Sequence, residues 1–151
     1  MKKGFSLVEL IVIVAIVALI SSIAVFSFKS FNARHAVDED ALGVLSTLNE
    51  ARSKVLASKD ASQYGVHLEE FQIVLFKGTS YSANDPLNQI IPLSQYTHIS
   101  NINLSGGASD IIFARLTGAA NRSGTIVLAS INDSTLTKTI TVYATGVSQS
   151  N

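Results

Sequence analysis

Between Glu9 and Lys29 the chain holds no charged residue, and the run Leu10–Phe28 is mostly Ile, Val, Ala and Leu. At the helical rise about 19 such residues make a rod of roughly 28 Å, which with Ser6–Val8 added matches a bilayer core of about 30 Å. The expectation is a membrane-spanning helix, with Lys2 and Lys3 favouring a short tail kept on the cytoplasmic side. Glu9 fits that expectation poorly. A carboxylate at the edge of an apolar block is costly when unpaired, and a plain anchor has no use for one. The segment is therefore expected to do something besides anchoring.

The roughly 120 residues that follow are enough for one domain with a modest core, without metal or disulfide. Mean hydropathy is +0.34, high for a soluble protein, and the excess lies at the N-terminus. Eleven basic residues balance 11 acidic ones, so no overall field draws the chain to nucleic acid or to an acidic membrane surface. The absence of cysteine removes disulfides, thiolate nucleophiles and cysteine-based metal sites.

Met1-Lys2-Lys3 gives the basic start that a secretory signal peptide needs, and Ser21-Ser22-Ile23-Ala24 imitates a cleavage site. The apolar pattern runs through that imitation to Phe28, which argues against cleavage there. An unprocessed signal anchor is the plainer alternative. Lys3-Gly4-Phe5-Ser6-Leu7-Val8-Glu9-Leu10 resembles the class III leader and N-terminus of type IV prepilins and type II secretion pseudopilins. The resemblance implies cleavage between Gly4 and Phe5 by a membrane aspartic peptidase, with N-methylation of Phe5 by the same enzyme. It also matches Glu9 to the family's glutamate. A carboxylate paired with a terminal amine in a low-dielectric setting is a positional signal. Glu9 is accordingly expected to pair with the Phe5 amine, its own or a neighbouring subunit's, and so to set the assembly register.

Beyond Lys29, Val37, Ala41, Val44, Leu48, Ala51 and Val55 recur at spacings of four and three, widened by Leu45 and Leu56. Asp38, Glu39, Glu50, Arg52 and Lys54 oppose them. This is an amphipathic helix, and no proline precedes Asn84 to break it. One helix is expected from Phe5 to about Ser58, with Gly43 a slightly unfavourable interior residue. After Ser62 the period changes to that of strands: Tyr64–Leu68, Phe71–Lys77, Tyr96–Leu104, Asp110–Leu116, Thr125–Ile131 and Leu136–Ala144. Phe71–Lys77 has apolar residues on both faces, Tyr96–Leu104 alternates cleanly, and Gly146–Asn151 reads as a frayed tail.

A long helix followed by roughly five to seven strands points to an α+β, pilin-like fold with an antiparallel sheet on the helix stripe. The expected layout is a leader over residues 1–4, a transmembrane and filament-core helix over 5–28, its amphipathic second half over 29–60, and a β-sheet globular domain over 61–151. This layout is most similar to GspH/FimT-type minor pseudopilins and minor pilins, with Ala51-Arg52 comparable to their Ala-Arg pair and a terminal β-hairpin.

The remaining candidates read as structure. His67 and Glu69 share a strand face but lack a third ligand, and His98, beside Tyr96 and Ser100, has no nucleophile elbow. Asn84-Asp85-Pro86 and Asn132-Asp133-Ser134 suit turns better than calcium loops, and Gly106-Gly107 suits a turn better than a phosphate loop. Arg115, Arg122 and Lys138 could form a local basic patch. However, Gly146-Val147-Ser148-Gln149 lacks the arginines of the DNA-binding minor pilins, and losing Lys2 and Lys3 with a leader moves the formal charge from zero to about −2. The expectation is no catalytic residue, no cofactor, no metal and no nucleic-acid partner. The expected role is a structural subunit of a type II secretion or type IV pilus-like filament, the alternatives being a major pilin or a DNA-uptake minor pilin. The resemblance further implies other pilin or pseudopilin subunits, the prepilin peptidase/N-methyltransferase and an inner-membrane assembly platform as partners. It places the chain single-pass in the inner membrane before assembly, with its globular domain outside the cytoplasm.

Overall fold

A computed structural model describes residues 6–151, with side chains described outside residues 23–30. The described chain divides into two compact units, the first ending at Asn32 and the second spanning residues 33–151. Helix α1, Leu7–Leu56, begins in the first and ends in the second. After a 3-10 turn at Lys59–Ala61 come β1 (Tyr64–Leu68), β2 (Gln72–Lys77), β3 (Gln89–Pro92), β4 (Thr97–Leu104), β5 (Asp110–Phe113), β6 (Gly124–Ser130), β7 (Thr137–Val142) and β8 (Ser148–Ser150).

The strands form two antiparallel four-stranded sheets, ordered β3-β2-β1-β5 and β4-β6-β7-β8. The single sheet expected from the strand pattern is thus two. Sequential hairpins account for β1-β2 and β6-β7, whereas β5 returns to β1 and β4 goes to β6. Those pairings join distant segments and leave no local trace in the sequence.

In the second unit the helix stripe is buried as its spacing requires. Val37, Ala41, Val44, Leu48, Ala51 and Val55 join one core with Val66, Leu68, Ile73, Leu75, Ile111 and Phe113 of the first sheet. Ile99, Leu104, Ile126, Leu128, Ile140 and Val142 of the second sheet complete it. Leu45 packs against this core, while Leu56 is exposed. In β2 both faces are buried over Ile73–Phe76. On the side away from the main core, the Phe76 ring crosses its cross-strand partner Gly65, where a Cβ would lie 2.5 Å from Phe76 Cζ. Only hydrogen fits there.

Strand β4 departs from clean alternation. Thr97, Ile99 and Leu104 are all buried, although Leu104 has the opposite parity, because the register shifts between Ile99 and Asn101. A bulge there moves the inward positions by one, and the Ser100 hydroxyl donates to the Val127 carbonyl at 3.1 Å. The C-terminal tail is likewise not frayed. Tyr143 N–H donates to Val147 C=O, Thr139 and Asn151 exchange backbone hydrogen bonds, and β8 pairs with β7.

The membrane-spanning expectation requires correction. Among the described residues no helix is long and apolar enough to cross a membrane. Of the charge-free run from Leu10, described side chains extend to Ser22, roughly 20 Å of helix against a core of about 30 Å. The transmembrane first half, and with it the single-pass inner-membrane placement before assembly, are withdrawn.

Candidate functional site

Gly4 and Phe5, the expected cleavage and methylation positions, lie outside the described residues. Glu9 lies within them, in the first turn of α1. Ser6 C=O accepts the Leu10 N–H at 3.1 Å there, so a carboxylate at Glu9 sits near the positive end of the helix dipole. Around it the stretch Leu7–Ile20 is apolar on every side. Leu7, Val8, Leu10, Ile11, Val12, Ile13, Val14, Ile16, Val17, Leu19 and Ile20 are each 46–74% exposed. The polar interruption at Ser22 is satisfied within the helix, its hydroxyl donating to Leu19 C=O at 2.8 Å. An apolar surface of this extent marks a contact site rather than a solvated face.

In the second unit the polar candidates separate. His67 does meet Glu69, Nε2 to Oε1 at 3.5 Å, but its closer partner is Asp110, Nδ1 to Oδ1 at 2.5 Å. Asp110 is the cross-strand partner of His67 in the β1-β5 pair, a non-local placement that the sequence does not announce. Tyr81 stacks on the imidazole with centroids 3.9 Å apart and donates to Glu69 Oε1 at 3.3 Å. Burial, reinforced by the negative charge of Glu69 and Asp110, pushes the Tyr81 phenol above its ordinary pKa. Gln72 Nε2 donates to the other Glu69 oxygen at 2.6 Å. Glu69 thus accepts from two side chains, Gln72 and Tyr81, and lies beside a third, His67, and no set of three acidic, histidine or cysteine side chains suited to a metal ion occurs among the described residues.

His98 has Phe71 beside it at 6.4 Å between ring centroids, and its Nδ1 is buried without a hydrogen-bond partner. Ser100, which shares its strand, donates instead to a backbone carbonyl. Asp85 and Asp133 act as turn formers. Asp85 accepts from Leu87 N–H at 2.9 Å, and Asp133 from the N–H and hydroxyl of Thr135 at 3.0 and 2.6 Å. The Thr135 bonds hold the Asp133 carboxyl below the usual range. The three cations proposed as a patch have different partners: Arg115 donates to Ala61 C=O, Arg122 to Asp110 C=O, and Lys138 pairs with Asp38 at 3.3 Å.

The apolar stretch Leu7–Ile20 also lies where the chain matches a known family. Residues 1–25 fit the family model of the prokaryotic N-terminal methylation motif. The match supports a prepilin-like, type IV pilin-like family. It also supports interaction of this prepilin-like chain with a prepilin peptidase/methyltransferase. No curated protein and no solved structure matches the chain.

Proposed function

We propose that this chain is a structural subunit, a minor pilin or pseudopilin of the GspH/FimT type, in a type II secretion or type IV pilus-like filament. The observation that carries this reading is the apolar helix surface from Leu7 to Ile20, exposed on all sides and placed within the methylation motif. Each such side chain contributes about 1.5–3 kcal/mol when fully buried, so packing against neighbouring subunits' helices is strongly favoured. Cleavage between Gly4 and Phe5 frees an amine that the peptidase methylates. Glu9, the one carboxylate within this apolar stretch, pairs with that amine as subunits pack.

The pair acts as a register more than as a source of stability. Desolvating both charges offsets much of their attraction, whereas leaving one unpaired in an apolar interior is penalised by several kcal/mol. A subunit entering one step out of place would incur that penalty. We assign the chain no catalytic step of its own; its partners are other pilin-type subunits, the processing enzyme and an assembly platform. Mass spectrometry of the mature protein is expected to give an N-methylated Phe5 as first residue. An intact Met1, or a start near Ala24, would refute the reading. Glu9→Val is expected to be processed normally yet to enter filaments poorly, and incorporation equal to the parent would exclude the register role.

A further inference from the structure

Arg52 has no hydrogen-bond or ion-pair partner among the described residues. It lies on α1 within the second unit, where its side chain crosses two glycines. A Cβ on Gly118 would lie 3.3 Å from Arg52 Cγ, and one on Gly146 would lie 3.2 Å from Arg52 Nε. Nε is buried with no hydrogen-bond partner, and among the described residues no hydrogen bond or ion pair engages the guanidinium. Arginine offers five N–H donors in a planar fork suited to a carboxylate, so leaving this one unengaged on a partly exposed side chain points to an acceptor outside the chain. Two exposed leucines flank it. Leu56, one turn further along α1, touches the Gly118 position, and Leu116, 65% exposed, binds the helix end through its N–H to Val55 C=O.

The complementary surface is on the same helix. Glu39 is exposed and, among the described residues, has no hydrogen bond or ion pair, and Leu42, 63% exposed, lies one turn beyond it. By helix geometry Glu39 lies about 20 Å before Arg52 along the axis and about 140° around it. The two therefore face different directions and cannot meet within one copy. A second copy placed alongside and shifted by about 20 Å would bring its Glu39 level with the first copy's Arg52.

We propose that Arg52, with Leu56 and Leu116, is the receptor for Glu39 and Leu42 of a second copy of this chain. Because the two surfaces differ, the contact is heterologous, leaves each copy with one free surface of each kind, and extends without closing. The inference rests on the filament reading and adds to it a second, polar contact remote from the N-terminal apolar stretch.

The test uses the full chain and follows the pelletable, assembled fraction. Arg52→Glu and Glu39→Arg are each expected to lower that fraction about tenfold, and the double exchange to restore it to within about twofold. Glu39→Arg is the safeguard against misfolding, since Glu39 is exposed and makes no hydrogen bond or ion pair among the described residues. The natural chain has no cysteine, so a mixture of Glu39→Cys and Arg52→Cys chains treated with a short bis-maleimide is expected to give a dimer band that neither gives alone. Additive losses in the double exchange, or a crosslink to Glu70→Cys, at an exposed position in the turn between β1 and β2, in place of Glu39→Cys, would overturn the contact while leaving the filament reading in place. Failure of the unsubstituted chain to assemble would remove the filament reading, and this contact with it.

Discussion

Replacing Gly65 with alanine puts one methyl group into a site that has no room for it. The new Cβ would lie 2.5 Å from Phe76 Cζ, 2.9 Å from Cε1 and 2.8 Å from the Ile111 carbonyl oxygen. Neither neighbour gives way easily. Phe76 is 2% exposed, and Ile111 lies in the β1-β5 ladder, across from Val66. Overpacking of this kind costs about 1–3 kcal/mol; with two obstacles on different elements, a value of about 3 kcal/mol is expected. Phe76→Leu removes the ring end that supplies the closest contact, and alone costs about 1–2 kcal/mol through lost packing. The double substitution should then cost at least about 1 kcal/mol less than the sum of the two singles. Rescue stays incomplete because the Ile111 carbonyl remains. Urea unfolding followed by circular dichroism measures all three differences, provided the slopes agree between variants. A Gly65→Ala cost below about 0.5 kcal/mol, or additive singles, would refute the packing argument.

On α1, Leu48→Ala is expected to lose about 3–5 kcal/mol because Leu48 is fully buried, whereas Leu42→Ala should stay within about 0.5 kcal/mol; equal losses in urea unfolding would disprove the assigned helix face. Gly43→Ala should stabilise by about 0.5–1 kcal/mol, since a Cβ there meets nothing within 4 Å, and a lower midpoint would contradict this. Hydrogen bonds from Tyr64 and Lys77 to Asp60 hold that carboxyl below its ordinary 3.8. The folded state therefore binds that proton more weakly than the unfolded state, and the associated stability, present above pH 3.8, is lost as pH falls below it. Asp60→Asn should flatten that acid limb, and an unchanged limb would count against the assignment. Tyr64 and Tyr81 are pushed above 10.0, chiefly by burial. Their stabilising effect is present below pH 10 and declines above it; in a spectrophotometric titration, Tyr64→Phe and Tyr81→Phe should each delete a late-ionising component.

What the sequence alone determined here is whatever repeats at short range. The spacing of Val37, Ala41, Val44, Leu48, Ala51 and Val55 identified the buried face of α1, because a helix turns by a constant angle per residue. The β1 boundaries and the two buried faces of β2 followed from residue type and alternation. The N-terminal motif was legible for the same reason, since its chemistry lies in consecutive residues. Tertiary structure decided everything that depends on which distant segments meet. It divided the strands between two sheets, added β8 to the second, and moved the inward positions of β4 by one at a bulge. It placed Asp110 against His67, distributed Arg115, Arg122 and Lys138 among separate partners, and buried Arg52 Nε without a hydrogen-bond partner among the described residues. Helical and strand periods are written into neighbouring residues. Strand order, register and the pairing of charges come instead from the packing of the whole core, where a one-residue shift exchanges every inward side chain for an outward one.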